Sequence, residues 1–169
     1  ARRDHVARLI KPALDAGTPG FSSDGRWLVF AASSVPEARC EPLLREVLIG
    51  DSVNALPVAR PFVHDFLTGE TWCPSITPTD GTVIVDFGTA AVSGDAAAFA
   101  FMSGETVAGS GGTRILGAGL VMVSLATGEV LGTLASADLS FCCGGPPAIA
   151  GRTLVWGPYR KAGLDYFDP

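Results

Sequence analysis

The tripeptide Thr-Gly-Glu occurs twice in this chain, in HDFLTGETW (64–72) and VSLATGEVL (123–131), each time between two strand-like runs. A tight turn between antiparallel strands needs a residue that accepts positive φ, and Gly69 and Gly128 supply it. Ahead of these units lie SDGRWLVF (23–30) and GDAAAFAF (94–101), and AGRTLVW (150–156) opens a third copy. Each begins with a turn of small or acidic residues and closes in a strand ending on an aromatic ring. Asp24, Asp95 and Ala150 are read as equivalent positions, 71 and then 55 residues apart. The third copy continues into LDYFDP (164–169), where Asp165 and Tyr166 are matched with Asp65 and Phe66. The unit is therefore strand, loop, strand, Thr-Gly-Glu turn, strand. Such a unit cannot bury its apolar face alone, so its copies must stack.

Composition agrees with a turn-rich β chain. At 169 residues the length suits one domain with a real core. The chain is 47% hydrophobic and 17% charged, below the roughly 25% charged of an average soluble domain. Its 21 Gly and 12 Pro favour many short strands over a few long helices. A formal charge of −5 excludes the basic footprint of a nucleic-acid binder. The two basic spots, Arg2 with Arg3 and Arg160 with Lys161, read as solvated segments. No run reaches the roughly 18 apolar residues of a transmembrane helix. The longest, ILGAGLVMVSLA (115–126), is interrupted by glycine and serine and reads as a buried strand pair. The chain opens on Ala1 rather than Met, which fits a removed leader or a chain otherwise trimmed at its start.

The phrase FSSDGRWLVF (21–30) resembles the opening of TolB-type WD40-like propeller repeats, and LVMVSLATGEVLGTL (120–134) resembles quinoprotein-like propeller repeats. The resemblance implies a mainly β fold of antiparallel repeat sheets, like part of a β-propeller. The two copies and a fraction fall short of the four to eight blades of a closed ring. The repeat domain, residues 18–169, is thus expected to be incomplete by itself and to need a neighbour for its free edges.

Residues 1–17 read as a short N-terminal amphipathic helix. Val6, Leu9, Ile10, Ala13 and Leu14 recur at helical spacing, with Gly17 at the C-cap position and Pro12 as a potential kink. Leu9, Ile10 and Leu14 make its apolar stripe a candidate protein-binding face. The insertion in the first repeat (33–61) carries Leu43, Leu44, Val47 and Leu48 at its centre and is expected to pack back as a helical turn and a strand.

Several residues invite chemistry. VLIGDSVN (47–54) resembles the nucleophile block of SGNH or GDSL hydrolases, which would make Ser52 a nucleophile with an oxyanion donor in its own amide. That family also needs an Asp-x-x-His near its C-terminus, whereas the histidines here are His5 and His64. The simpler reading is a turn over 50–54. GSGGTRILG (109–117) lacks the order of a phosphate loop and reads as a connection between strands.

The four cysteines, Cys40, Cys73, Cys142 and Cys143, are candidates for structural disulfides in an oxidising compartment. One scheme joins the insertion to the Thr-Gly-Glu hairpin through Cys40 and Cys73. The adjacent pair in FCCGGPP resembles the vicinal disulfide of quinoprotein alcohol dehydrogenases, without a matching set of cofactor ligands. A metal or redox site built from Cys73, Cys142, Cys143 and His64 is an alternative, although the spacing is not that of a C-x-x-C pair. Asp24, Asp65, Asp86, Asp95 and Asp165 recur at turns and strand ends without a calcium-loop pattern. Trp27, Trp72 and Trp156 read as core aromatics.

No metal or cofactor is expected. The reading that follows is a non-enzymatic structural or protein-binding subunit of an extracytoplasmic assembly, partnered by another protein or by its own copies. A serine hydrolase acting through Ser52 and a thiol-based metal or redox site are the alternatives.

Overall fold

The computed structural model describes residues 19–38, 40, 41, 43–49, 52–76, 83–106, 113–136, 148–150, 153–156 and 165–167. The chain is mainly β. The 1–17 segment, with Leu9, Ile10 and Leu14, lies outside the described residues.

Two four-stranded antiparallel sheets form the body. The first runs in the order β1 (Gly20–Phe21), β2 (Trp27–Ala32), β5 (Arg60–Asp65), β6 (Thr71–Trp72). The second comprises β7 (Val83–Ser93), β8 (Ala96–Thr106), β9 (Thr113–Ser124) and β10 (Val130–Ser136), neighbours in space as in sequence. A three-stranded sheet follows, β11 (Ala148–Ala150), β12 (Thr153–Trp156) and β13 (Asp165–Phe167). All three are antiparallel meanders, because each connection leads to the adjacent strand. The exception is β3 (Leu44–Ile49) with β4 (Ser52–Pro57), a separate hairpin inserted between β2 and β5.

The side-chain period of two explains how the sheets stack. Every residue of β2 is buried, as expected of a strand covered on both faces. Its odd residues, Trp27, Val29 and Ala31, join Val63 of β5 in a core shared with the second sheet. Across that interface stand Phe99 and Phe101 of β8, Val121 and Val123 of β9, and Phe87 and Ala90 of β7. The even residues Leu28, Phe30 and Ala32 face the other way, where Phe30 stacks on Phe62 at 5.6 Å between ring centroids. Val35, Ala38, Cys40 and Cys73 pack over them, so the inserted loop covers the outer face of the first sheet.

In the second sheet the same alternation gives a face of small residues. Ala96 and Ala98 lie beside Ala118, Leu120 and Met122, with Ile149 of β11 packed against them. Alanine favours helix by propensity, but AAAFAF places Phe99 and Phe101 on one face and alanines on the other. The alternation decides for strand. Where β1 meets β7 the backbones nearly touch: a Cβ on Gly20 would lie 3.0 Å from the Ala90 carbonyl oxygen and 3.0 Å from the Ala91 Cα.

Strand pairing corrects the repeat alignment. Trp27 faces Asp65, and Ala96 faces Ser124; Asp65 and Ser124 stand at the same step before the two Thr-Gly-Glu turns. Arg26 therefore matches Asp95, and Gly25 matches Gly94, both at positive φ (68° and 56°). Asp24 has no counterpart in the second sheet, because the first β-turn is longer. Asp165 faces Trp156, three residues along β12 from Thr153, which places it where the first sheet has Phe62 rather than Asp65.

Three local expectations also change. The insertion forms the β3–β4 hairpin with no helical turn among its described residues, because LREVLI and SVNALP pair residue for residue from Leu44 with Pro57 to Ile49 with Ser52. Of the turn read over 50–54, Ser52, Val53 and Asn54 belong to β4 instead, and residues 50 and 51 lie outside the described residues. The apolar run 115–126 lies in one long strand, β9, as far as Ser124, with Leu125 and Ala126 in the turn that follows, rather than in a strand pair. In that strand Gly117 and Gly119 pair with Ser103 and Phe101 of β8.

Candidate functional site

The densest cluster of polar and ionisable groups lies at the start of β2 and the end of β5. Ser22 Oγ accepts the Trp27 amide at 2.8 Å and donates to Asp24 Oδ1 at 2.5 Å, while Asp24 also accepts the Arg26 amide at 3.0 Å. Ser-Ser-Asp-Gly-Arg-Trp is thus a self-bonded turn, with Gly25 supplying the left-handed step. These bonds, that from the Ser22 hydroxyl first, hold the Asp24 carboxyl below its ordinary value.

Arg26 then spans to the other turn. Its Nη2 donates to Asp65 Oδ2 at 2.9 Å, and its Nε lies 3.2 and 3.3 Å from the two carboxylate oxygens. The guanidinium also sits 4.4 Å above the Trp27 ring centroid. Asp65 Oδ1 accepts the Leu67 amide at 2.8 Å. Its carboxyl is held below the usual range first by the Arg26 hydrogen bonds and further by the Leu67 amide, against the opposing effect of burial. The Arg26 guanidinium is pushed up by the same pairing.

Both Thr-Gly-Glu turns share one backbone pattern. The Gly69 amide donates to the Asp65 carbonyl at 2.8 Å and the Gly128 amide to the Ser124 carbonyl at 2.9 Å. The Asp65 and Ser124 amides donate to the Glu70 and Glu129 carbonyls, each at 2.9 Å. Gly69 and Gly128 have φ of 78° and 75°. Phe66 and Leu125 donate back to the Arg26 and Asp95 carbonyls at 2.8 and 2.7 Å, tying each turn to the strand beside it. The Arg26–Asp65 pair overlays this frame in the first sheet alone, since the second has Asp95 and Ser124 at those steps.

His64 is almost fully buried, with Nδ1 2.8 Å from Thr71 Oγ1 and its ring edge-on to Phe66 at 4.7 Å between centroids. It stands in the first sheet, whereas Ser52 opens β4 in the inserted hairpin. Ser52 and His64 therefore belong to separate sheets, and among the described residues His64 is the one histidine. Cys40 and Cys73 are joined in a disulfide spanning 33 residues, which anchors the inserted loop to the segment after β6. Cys73 is thereby removed from any thiolate set with His64. Cys142 and Cys143 lie outside the described residues, and no cluster of three or more metal-type ligands occurs among the described ones.

Arg60, at the foot of the hairpin, has one guanidinium nitrogen on the Glu41 carbonyl and a buried Nε without a partner among the described residues. Burial lowers its pKa, opposed by the nearby Glu41 charge. Neither Arg60 nor the Arg26–Asp65 pair stands out in the sequence. Arg26 and Asp65 are 39 positions apart, and only the pairing of Trp27 with Asp65 brings them together.

No helix among the described residues is long and apolar enough to cross a membrane. No protein-family profile matches the chain, and no curated protein matches it significantly in sequence.

Proposed function

We propose that this chain is a non-enzymatic, protein-binding structural subunit, built from propeller-like blades and working outside the cytoplasm. One observation carries the reading: the β3–β4 hairpin leaves the sheet body and, among the described residues, pairs with no other strand. Leu44, Ala55 and Pro57 are exposed on it, with Leu44 at 54%. An extended, apolar, edge-bearing projection suits strand addition, in which a partner's backbone supplies the missing hydrogen bonds.

The meander succession in three sheets supports the blade comparison, and the Cys40–Cys73 bond supports an oxidising compartment. Around Arg26, Asp65 and His64 the described contacts hold turns and strands together, which favours scaffold over catalyst. Native mass spectrometry of protein purified from its source without reductant tests the proposal. A stable assembly heavier than 17.4 kDa is expected. A lone 17.4 kDa species, or stoichiometric fluorophosphonate labelling lost in Ser52→Ala, would overturn it.

A further inference from the structure

We infer that the 33–41 segment is a redox-sensitive strap, held over the outer face of the first sheet by the Cys40–Cys73 bond and released by a dithiol. The inference goes beyond the protein-binding reading above and does not depend on it. Residues 33–38 fold as bends and a turn outside the strand ladders, the Ala38 amide donating to the Val35 carbonyl at 3.0 Å. The segment enters and leaves at one place. Ala32, just before it, faces Arg60 across the β2–β5 ladder, and the Arg60 guanidinium donates to the Glu41 carbonyl at its far end. Compact surface loops whose ends adjoin in this way are Ω-loops, and such a loop lifts without unpairing the strands that flank it.

The face beneath is apolar and fully buried: Leu28, Phe30, Ala32 and Phe62 form one cluster with Val35 of the strap, and Ala38, Cys40 and Cys73 pack against it. The two cysteines themselves are half-buried and so within reach of a reagent in solution. Ordering one residue of backbone costs about as much as burying a small apolar side chain returns. Among its described residues the strap buries only Val35 fully, while Ser34, Pro36, Glu37 and Glu41 stay exposed. The covalent bond, by limiting how far the open segment strays, supplies the balance. Opening is a thiol–disulfide exchange. One thiolate of the dithiol attacks a sulfur of the Cys40–Cys73 bond, and its second thiol resolves the mixed disulfide. The reagent leaves as a disulfide, and its two electrons and two protons pass to Cys40 and Cys73, which become thiols. Val35 then leaves Phe30 and Phe62, so exposure of this face is conditional on reductant.

Hydrogen exchange of the purified chain followed by NMR, with and without dithiothreitol, tests the inference beside the double variant Cys40→Ser, Cys73→Ser. In dithiothreitol the Ala38 amide is expected to exchange faster by on the order of a hundredfold. Amides paired between β2 and β5 keep their protection, and the change reverses when oxidised glutathione replaces the dithiol. The double variant is expected to exchange at the fast rate throughout and to ignore dithiothreitol, which separates this bond from any effect at Cys142 and Cys143. Alkylation with iodoacetamide and peptide mass analysis report whether Cys40 and Cys73 have been reduced. A bond that dithiothreitol leaves intact in the folded chain overturns the inference, as does an Ala38 amide indifferent to dithiothreitol once both thiols are free. Loss of protection across β2 and β5 together with Ala38 also overturns it, by making the bond a staple of the whole fold. None of these outcomes alters the mass of an assembly at source, so the proposed function stands or falls separately.

Discussion

At the scale of single residues, the account turns on groups that hold two β-turns to one another. Asp65 accepts hydrogen bonds from Arg26 and from the Leu67 amide while nearly buried, so Asp65→Asn should cost about 1–2 kcal/mol, limited by the solvent screening of the half-exposed guanidinium. Urea denaturation at neutral pH measures this. Because the folded carboxyls of Asp24 and Asp65 are held low, they bind fewer protons folded than unfolded near the ordinary carboxylate pKa. Their contribution is complete above that pKa of about 3.9 and is lost as pH falls through the lower folded values. The urea midpoint should therefore be flat near neutrality and fall in acid, less steeply in Asp65→Asn. The two turn glycines make a sharper comparison. A Cβ on Gly69 meets nothing within 4 Å, whereas one on Gly128 lies 3.3 Å from Trp72 Cζ3. Gly69→Ala should cost about 1–2 kcal/mol for left-handed backbone alone, and Gly128→Ala more, as read from their urea midpoints. The need for glycine at both sites was legible in Thr-Gly-Glu. The role of Asp65 was not, because its partner is distant in sequence and the pairing depends on register.

At the scale of elements, the inserted segment shows where pattern reading fails. Leu43, Leu44, Val47 and Leu48 have the spacing of a helical face, yet the chain forms β3 and β4. The deciding feature is non-local: a complementary strand follows within a few residues, and every position from Leu44 to Ile49 finds a partner. The Cys40–Cys73 bond was legible from the place of each cysteine, one in the insertion and one beyond the hairpin. Its structural effect is to keep Val35 and Ala38 over Phe30 and Phe62. Replacing both cysteines by serine should lower stability by about 2–4 kcal/mol, and limited proteolysis should then cut within 33–43 before it cuts the paired strands. An intact loop in the serine variant would mean that apolar contacts suffice to hold it.

At the scale of the whole molecule, two sheets share one core, with Val29 and Val63 on one side and Phe99 and Val121 on the other. The repeat was legible in outline because its turns need particular residues, whereas its alignment was off by two residues at Asp95 and by three at Asp165 because strand pairing sets equivalence. The stacking of sheets through odd-numbered residues of β2 and β8 was implicit in the period of two. Phe99, fully buried at the centre of the interface, should cost about 3–5 kcal/mol on truncation to Ala. Exposed Leu44 should change stability by no more than about 0.5 kcal/mol. The most direct test of the shared core is native-state hydrogen exchange in increasing denaturant. The account predicts that amides of β2, β5, β8 and β9 converge on one opening free energy, with the β3–β4 hairpin exchanging through lower-energy local openings. Separate openings of the first and second sheets would contradict it, by showing that each holds its own core.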